Sequence, residues 1–113
     1  MRAGAMSFIS AHILDALAGT PASGVAVRLE TEDGDVLGDA VTDADGRVSD
    51  IGPDRLEAGD YRVRFATGEY FAGKGQDTFY PFVVVNFTVA PGQAHYHVPL
   101  LLSPYAYSTY RGS

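Results

Sequence analysis

The sequence contains no cysteine, no long apolar stretch and no cluster of basic residues. Without cysteine the protein forms no disulfides or thiolate metal sites and has no cysteine nucleophile, and this absence is compatible with a reducing compartment. No stretch has the length and apolarity needed to span a bilayer, and residues 1–6 lack the apolar core of a signal peptide. We therefore expect a cytoplasmic protein with no membrane partner.

The charge balance argues against nucleic acid as a partner. Eight lysines and arginines stand against fourteen aspartates and glutamates, which gives a net charge of −6 and an isoelectric point near 4.7. The basic residues are spread along the chain, so no surface favourable to phosphates is predicted. Hydrophobic residues make up 46% and charged residues 19% of the 113 residues, which is typical of one folded domain with one core.

Alternation of apolar and polar residues with a period of two is the dominant pattern in the chain. Each such run predicts a strand with one side toward a core, and glycine, proline and aspartate between the runs supply turns. Segment 67–75 breaks the alternation and predicts one short helix. Seven or eight short strands with regular turns predict an all-β fold, a two-sheet β-sandwich. The clearest core-facing sets are Val25, Val27 and Leu29; Tyr61, Val63 and Phe65; and Val83, Val85, Phe87 and Val89.

Two predicted strands carry histidines on the side that faces away from the core. From spacing alone, solvated surface histidines remain an alternative to a functional pair. In the first strand, the apolar residues Ile9, Ala11 and Ile13 leave Ser10 and His12 on the opposite side. In the second strand, the same alternation places Tyr96, Val98, Leu100 and Leu102 toward the core and His95, His97, Pro99 and Leu101 away from it.

Metal binding is an alternative use of these histidines. His12, His95 and His97 offer three nitrogen ligands to zinc, but a tetrahedral site also needs close placement and supporting hydrogen bonds that spacing does not supply. Segment 43–46, Asp-Ala-Asp-Gly, is similar to the start of a calcium loop, yet Asp54 stands where that motif requires glutamate. We therefore interpret segment 43–46 as a hairpin turn.

The segment from residue 95 onward, HYHVPLLLSPYAYSTYRGS, is the most informative part of the chain. It predicts an apolar strand, a Ser-Pro corner and a second strand that leads into Tyr110–Ser113. Chain ends usually fray, but a terminus held by a sheet can carry chemistry. Together with SAHILD at 10–15, TDADGR at 42–47 and YPF at 80–82, this segment closely resembles the 5-hydroxyisourate hydrolases, the transthyretin-related enzymes of urate breakdown.

The resemblance implies a prealbumin-like (transthyretin-like) sandwich in which residues 7–113 form a single hydrolase domain. Residues 1–6 are then an N-terminal extension that need not be ordered. The implied reaction opens the six-membered ring of 5-hydroxyisourate at the amide between N1 and C6 and gives 2-oxo-4-hydroxy-4-carboxy-5-ureidoimidazoline, without a cofactor. The implied assembly is a homotetramer, a dimer of dimers with a channel between the dimers.

The resemblance also implies the site residues, and it assigns no metal. One of two histidines would take the proton of the attacking water while the other orients the substrate, and the sequence leaves open which does which. An arginine would hold carbonyl oxygens through its planar guanidinium. The implied catalytic residues are His12, Arg47, His97 and Ser113, and the implied substrate-binding residues are His12, Arg47, Tyr110 and Arg111.

A second class of function remains open from the middle of the chain. The segments Gly24–Val27, Asp45–Arg47 and Ala58–Val63 recur in noncatalytic transthyretin-like or carboxypeptidase-regulatory-like modules that bind small molecules. That pattern predicts neither the outward histidines nor the YRGS ending. The sequence therefore favours the hydrolase over the binding module.

Overall fold

The computed structural model describes residues 8–112, so the predicted extension at 1–6 and Ser113 lie outside the described residues. Within this range the elements are β1 (Ile9–Asp15), β2 (Thr20–Pro21), β3 (Ala26–Thr31), β4 (Val36–Val41), β5 (Arg47–Ile51), β6 (Gly59–Phe65), α1 (Thr67–Ala72), β7 (Val83–Val89), β8 (Tyr96–Ser103) and β9 (Ala106–Thr109). The strands form two sheets, one in the order β2-β1-β8-β9, where β5 also pairs with β1, and the other in the order β4-β3-β6-β7. The described part contains no helix long and apolar enough to cross a membrane.

These elements confirm the predicted two-sheet β-sandwich with one short helix. The strand beyond the predicted eight is β2, which has only two residues and carries no periodicity that a sequence pattern reveals. The core lies between the inward faces of the two sheets, where apolar side chains leave water and supply the main stabilising free energy. The predicted inward residues of β1, β3 and β8 are all buried: Ile9, Ala11 and Ile13; Val27 and Leu29; and Tyr96, Val98, Leu100 and Leu102.

Strand β1 is central to the sheet that carries the candidate site. It pairs antiparallel with β5 on one edge and parallel with β8 on the other edge. A tight hairpin cannot join a parallel pair, and here the whole second sheet lies between the two strands in sequence. The registers place His12 opposite Arg47 and Ser10 opposite His97.

Asp15 links the end of β1 to the short helix. Its side chain is buried, and Oδ1 accepts hydrogen bonds from the backbone N–H groups of Leu17 and Ala18, both at 3.0 Å. Oδ2 accepts a hydrogen bond from the Tyr70 hydroxyl at 2.7 Å and lies 3.8 Å from Lys74 Nζ. Burial alone would raise the pKa of Asp15, but these donors and the lysine charge outweigh burial and hold the pKa below its ordinary value.

Removing the Tyr70 hydroxyl is expected to destabilise the fold, because it takes a donor from a buried carboxylate. We expect Tyr70→Phe to lower the free energy of unfolding at pH 7 by about 1.5–3 kcal/mol. The depressed pKa means that the Asp15 contribution is present above the unfolded pKa and is lost as the pH falls through the folded pKa. Acid unfolding should therefore begin at higher pH in Tyr70→Phe than in the parent protein.

Urea titrations between pH 2 and pH 7 measure both effects. The control is Tyr105→Phe, since Tyr105 is largely exposed and loss of its hydroxyl should change stability by less than about 0.5 kcal/mol. Equal stability of the two variants at every pH would show that the Asp15–Tyr70 hydrogen bond contributes nothing.

Candidate active site

Three neighbouring strands bring the predicted polar residues to one outward sheet face. Antiparallel pairing of β1 with β5 sets His12 directly across from Arg47, and parallel pairing of β1 with β8 sets Ser10 across from His97. Paired residues in a sheet point to the same side, so these four side chains share one face. His12 and His97 are half-buried, whereas Arg47 is exposed. His12, Arg47 and His97 thus lie together although 85 residues separate the first from the last.

A serine hydroxyl joins His97 of β8 to His95, which directly precedes this strand. Ser10 Oγ lies 2.9 Å from His95 Nε2 and 2.8 Å from His97 Nδ1, both within hydrogen-bond distance. Ser10 is itself buried, at 6% exposure. Its hydroxyl and the two rings therefore form a hydrogen-bonded unit beneath the open face, and the position of His97 is fixed from below.

The turn between β4 and β5 holds both His12 and Arg47. Asp43 Oδ1 accepts hydrogen bonds from the backbone N–H groups of Asp45 at 2.9 Å and Arg47 at 3.0 Å. The bond from Arg47 N–H is the largest of the effects that lower the pKa of Asp43, so the carboxylate is charged when it closes the turn. His12 Nε2 lies 3.0 Å from the Asp45 carbonyl oxygen, and because a carbonyl only accepts, this nitrogen carries a proton.

Gly46 allows this turn to approach β1 closely. Its φ of +71° lies in the left-handed region, and a Cβ at this position would overlap the Ile13 carbonyl oxygen. The Gly46 carbonyl in turn accepts the Ile13 N–H at 2.8 Å. The turn is thus bonded to the strand that carries His12. The prediction of a hairpin for segment 43–46 was wrong, because β4 and β5 lie in different sheets and the turn carries the chain from one sheet to the other.

The segment after β9 returns along β8 to His97. Gly112 N–H donates to the His97 carbonyl oxygen at 2.9 Å, and the two residues form an isolated bridge. A Cβ on Gly112 would overlap the His97 ring. Residue 112 is therefore close enough to the imidazole to support it from a second side, and only glycine fits at this distance.

Tyr110 and Arg111, the two residues before Gly112, have different surroundings. Tyr110 is 60% exposed. The Arg111 guanidinium carbon lies 4.6 Å from the centroid of the Tyr96 ring, and its Nη2 donates to Gln93 Oε1 at 3.0 Å. Since Tyr96 belongs to the core-facing side of β8, the Arg111 guanidinium lies away from the outward face that carries His97. Its predicted role in substrate binding stays a prediction.

Neighbouring groups and burial keep the His97 ring neutral. Burial is the largest effect that lowers the pKa of His97, and the charges of Arg47, His12 and His95 lower this pKa further. A neutral imidazole has one nitrogen with a free electron pair, which is the form that can accept a proton. His97 is thus in the state that a general base requires near pH 7.

The polar groups border an open cleft of about 300 Å³ lined by Ser10, Arg47, Ser49, His95 and His97. A larger depression of about 590 Å³ lies at the loops 54–58 and 90–94, and no histidine lines it. Within residues 8–112, no group of three or more histidine, aspartate or glutamate side chains is arranged to hold a metal ion. The cleft therefore offers imidazole, guanidinium and hydroxyl groups for a polar ligand.

The sequence of this chain matches the HIUase/Transthyretin family over residues 9–112. The chain belongs to this family. The 5-hydroxyisourate hydrolase of Salmonella dublin is 50% identical over 111 residues, which are 95% of this chain and 82% of that protein. The structure of Klebsiella pneumoniae 5-hydroxyisourate hydrolase superposes with a TM-score of 0.87 at 40% identity and covers 95% of this chain and all of that one.

A transthyretin has nearly the same fold as this chain. Transthyretin from Sparus aurata superposes with a TM-score of 0.85 at 37% identity, over 93% of this chain and 96% of that one. This value is close to that of the Klebsiella hydrolase, so backbone similarity does not separate the two kinds of family member. The distinction depends on side chains of the outward face.

Strand alternation places Ser10 beside His12 on the outward side but predicts no role for it. The contact between Ser10 and His97 exists only because β1 and β8 are parallel neighbours in this register. Local alternation predicts the side of a strand and not its partner. Alternation does place Ser10, His95 and His97 on the outward side of their strands. It does not show that the two strands are neighbours, and the contact depends on that pairing.

Proposed function

We propose that this protein hydrolyses 5-hydroxyisourate to 2-oxo-4-hydroxy-4-carboxy-5-ureidoimidazoline as a step of urate degradation. The observation that carries the proposal is the convergence of His12, Arg47 and His97 on one outward sheet face in a chain of the HIUase/Transthyretin family. The names of the similar hydrolases supply the substrate. The conserved fold alone would serve a binding module equally well.

The reaction is the addition of water to a cyclic amide. The oxygen of water bonds to C6, the bond between C6 and N1 breaks, and a proton is delivered to N1 while the new carboxyl group releases another. No electrons are exchanged, so the step requires no redox cofactor. It requires a base for the water, a donor for the oxygen on C6 that becomes negative, and a proton for the leaving nitrogen.

His97 is the better placed of the two histidines to act as the base. Its ring is neutral because its pKa is lowered by burial and by nearby positive charge. His12 instead carries a proton on Nε2 and donates a hydrogen bond to the Asp45 carbonyl oxygen. This nitrogen is therefore not free to accept a proton, which suits a role in orienting the substrate. Arg47 presents a planar set of donors across from His12 and would stabilise the negative oxygen on C6.

The C-terminal residues complete the proposed site. Tyr110 is exposed beside this face and would form a wall against the purine-derived ring. Arg111 and Ser113 are proposed to contact substrate and to position water or a histidine, as the resemblance to the hydrolases implies. The proposal includes no metal.

The direct test is to generate 5-hydroxyisourate from urate with urate oxidase and follow its ultraviolet decay with and without this protein. We expect the protein to accelerate the decay. Unchanged decay, together with saturable binding of the substrate, would favour the noncatalytic binding module instead. Cytoplasmic location and the absence of nucleic acid or membrane partners stay predictions.

We infer that the site is enclosed in a homotetramer, a dimer of dimers. Tyr110 and the apolar Leu101 are 60% and 38% exposed on the isolated chain, and Arg47 is exposed as well. A second copy that covers this face would exclude water from the histidines and strengthen their interactions with substrate.

Light scattering should report a mass about four times the 12.0 kDa of one chain. The same sample should be assayed at the same concentration, because dilution below the assembly threshold should then reduce the rate per chain. A monomer that keeps full activity would contradict a shared site.

A further inference from the structure

Ser10 lies within hydrogen-bond distance of both His95 and His97. Its Oγ is 2.9 Å from His95 Nε2 and 2.8 Å from His97 Nδ1, and the residue is 6% exposed. A buried hydroxyl between two rings is constrained, because a polar group shielded from water must satisfy its hydrogen bonds locally. This arrangement bears on which nitrogen of His97 carries the proton.

Counting protons limits the possible arrangements. A serine hydroxyl has one hydrogen to donate and two electron pairs that accept. It can donate to only one of the two ring nitrogens, so the other nitrogen must carry its own hydrogen. Either His95 Nε2 or His97 Nδ1 is therefore protonated, and the hydroxyl couples the two rings.

We propose that Ser10 is a positioning residue that holds His97 with its proton on Nδ1. The Ser10 hydroxyl accepts this N–H and donates its own hydrogen to His95 Nε2. The Nε2 atom of His97 then keeps its electron pair for the water. This inference rests on the proposed hydrolase function, in which His97 is the base.

The other groups around His97 are compatible with this arrangement. The charged and titratable groups that face it are His12 on β1, Arg47 on β5 and His95 just before β8, and Gly112 contacts the ring from the C-terminal segment. Arg47 and a protonated His12 disfavour a positive charge on His97, whereas His95 accepts the Ser10 hydrogen in this arrangement and adds no charge. The ring therefore stays neutral, and the Ser10 hydrogen bond is left to select between its two neutral forms.

Nuclear magnetic resonance of protein labelled with ¹⁵N-histidine reads the proton position directly, through the distinct shifts of protonated and unprotonated ring nitrogens. We expect His97 to show a protonated Nδ1 in the parent protein and in Ser10→Thr, which keeps the hydroxyl. We expect Ser10→Ala to shift His97 toward the form with the proton on Nε2. In His95→Ala, the hydroxyl is released to donate to His97 Nδ1, and the same shift should follow.

Kinetics give the second measurement. Ser10→Ala should lower kcat by about 10- to 100-fold with little change in KM, by analogy with the loss on removing the hydrogen-bond partner of a metal-bound histidine. Ser10→Thr should restore most of the loss. Ser103→Ala, which removes a hydroxyl about 20 Å further along β8, is the matched control and should leave kcat unchanged.

The spectrum tests the positioning role of Ser10, and hydrolysis by the parent protein tests the proposed function, so either proposal can be contradicted without the other. A parent spectrum with the His97 proton on Nε2, or a spectrum that Ser10→Ala does not alter, would overturn the positioning role even if the protein is an active hydrolase. Absence of hydrolysis in the parent protein would overturn the proposed function, while a protonated Nδ1 that depends on Ser10 would still support the hydrogen-bonding role. Circular dichroism of each variant excludes misfolding as the cause of a changed spectrum.

Discussion

Replacing His12, Arg47 or His97 by alanine is expected to lower kcat for 5-hydroxyisourate by at least about 10²-fold in each case. A positioned acid or base typically contributes about 10²- to 10⁴-fold, and a donor to a developing negative oxygen about 10²- to 10³-fold. All three side chains leave from the outward face of their sheet. Their removal should therefore leave the fold intact.

The pH dependence separates the roles of these residues. If His97 is the base, activity falls as the pH drops through its pKa, which lies below the ordinary histidine value near 6.5. Arg47→Ala removes a charge that disfavours protonation of His97, so the acid side of its residual activity should move to higher pH.

The matched control is Arg28→Ala, because Arg28 is paired with Asp39 at 2.8 Å in the other sheet and its loss should leave kcat unchanged. Circular dichroism and light scattering on the same samples report fold and assembly. Full turnover in both histidine variants would remove the acid-base mechanism. Strong inhibition of the parent protein by a chelator, reversed by zinc, would restore the metal interpretation of the histidines.

Removing Tyr110–Ser113 is expected to abolish most of the activity, although such a deletion at a chain end is usually tolerated. The deletion takes away the Tyr110 ring and the Gly112 contact with the His97 ring. Strand β9 remains, and Thr109 Oγ1 can still donate to the Pro99 carbonyl at 2.7 Å. The shortened protein should therefore fold, and light scattering on the same sample measures whether it still assembles.

A single substitution tests which part of the deletion matters. Gly112→Ala adds only a methyl group, but that group would overlap the His97 ring, so we expect a fall in kcat with the fold intact. Tyr110→Phe keeps the aromatic ring that is proposed to line the substrate site. It serves as the control and should change kcat only slightly. An undiminished rate in the folded, tetrameric deletion protein would leave catalysis to His12, Arg47 and His97 alone.

The fold was readable from the sequence because strand alternation is a local signal. Ile9, Ala11 and Ile13 identified the inward side of β1, and the structure buries all three. The outward direction of His12 and His97 followed from the same pattern. The short helix was recognised because segment 67–75 breaks the period of two.

The assembly of the site was not readable, because it depends on which strands are neighbours. Arg47 looked like an ordinary surface residue after a turn, and it lies across from His12 only through the β1–β5 pairing. Ser10 was placed on the outward side, yet it is buried because His95 and His97 cover it. Alternation predicts the direction of a side chain, whereas coverage depends on residues far away in sequence.

The parallel pairing of β1 with β8 has a consequence for the newly made chain. Ser10 and His97 are separated by 87 residues, and at about 5–20 residues per second a ribosome needs roughly 4–17 s to produce the second after the first. Throughout this interval one edge of β1 lacks its neighbour and can pair with another unfinished chain. Chaperones that shield this edge during translation should therefore affect the yield of active protein more than its final stability.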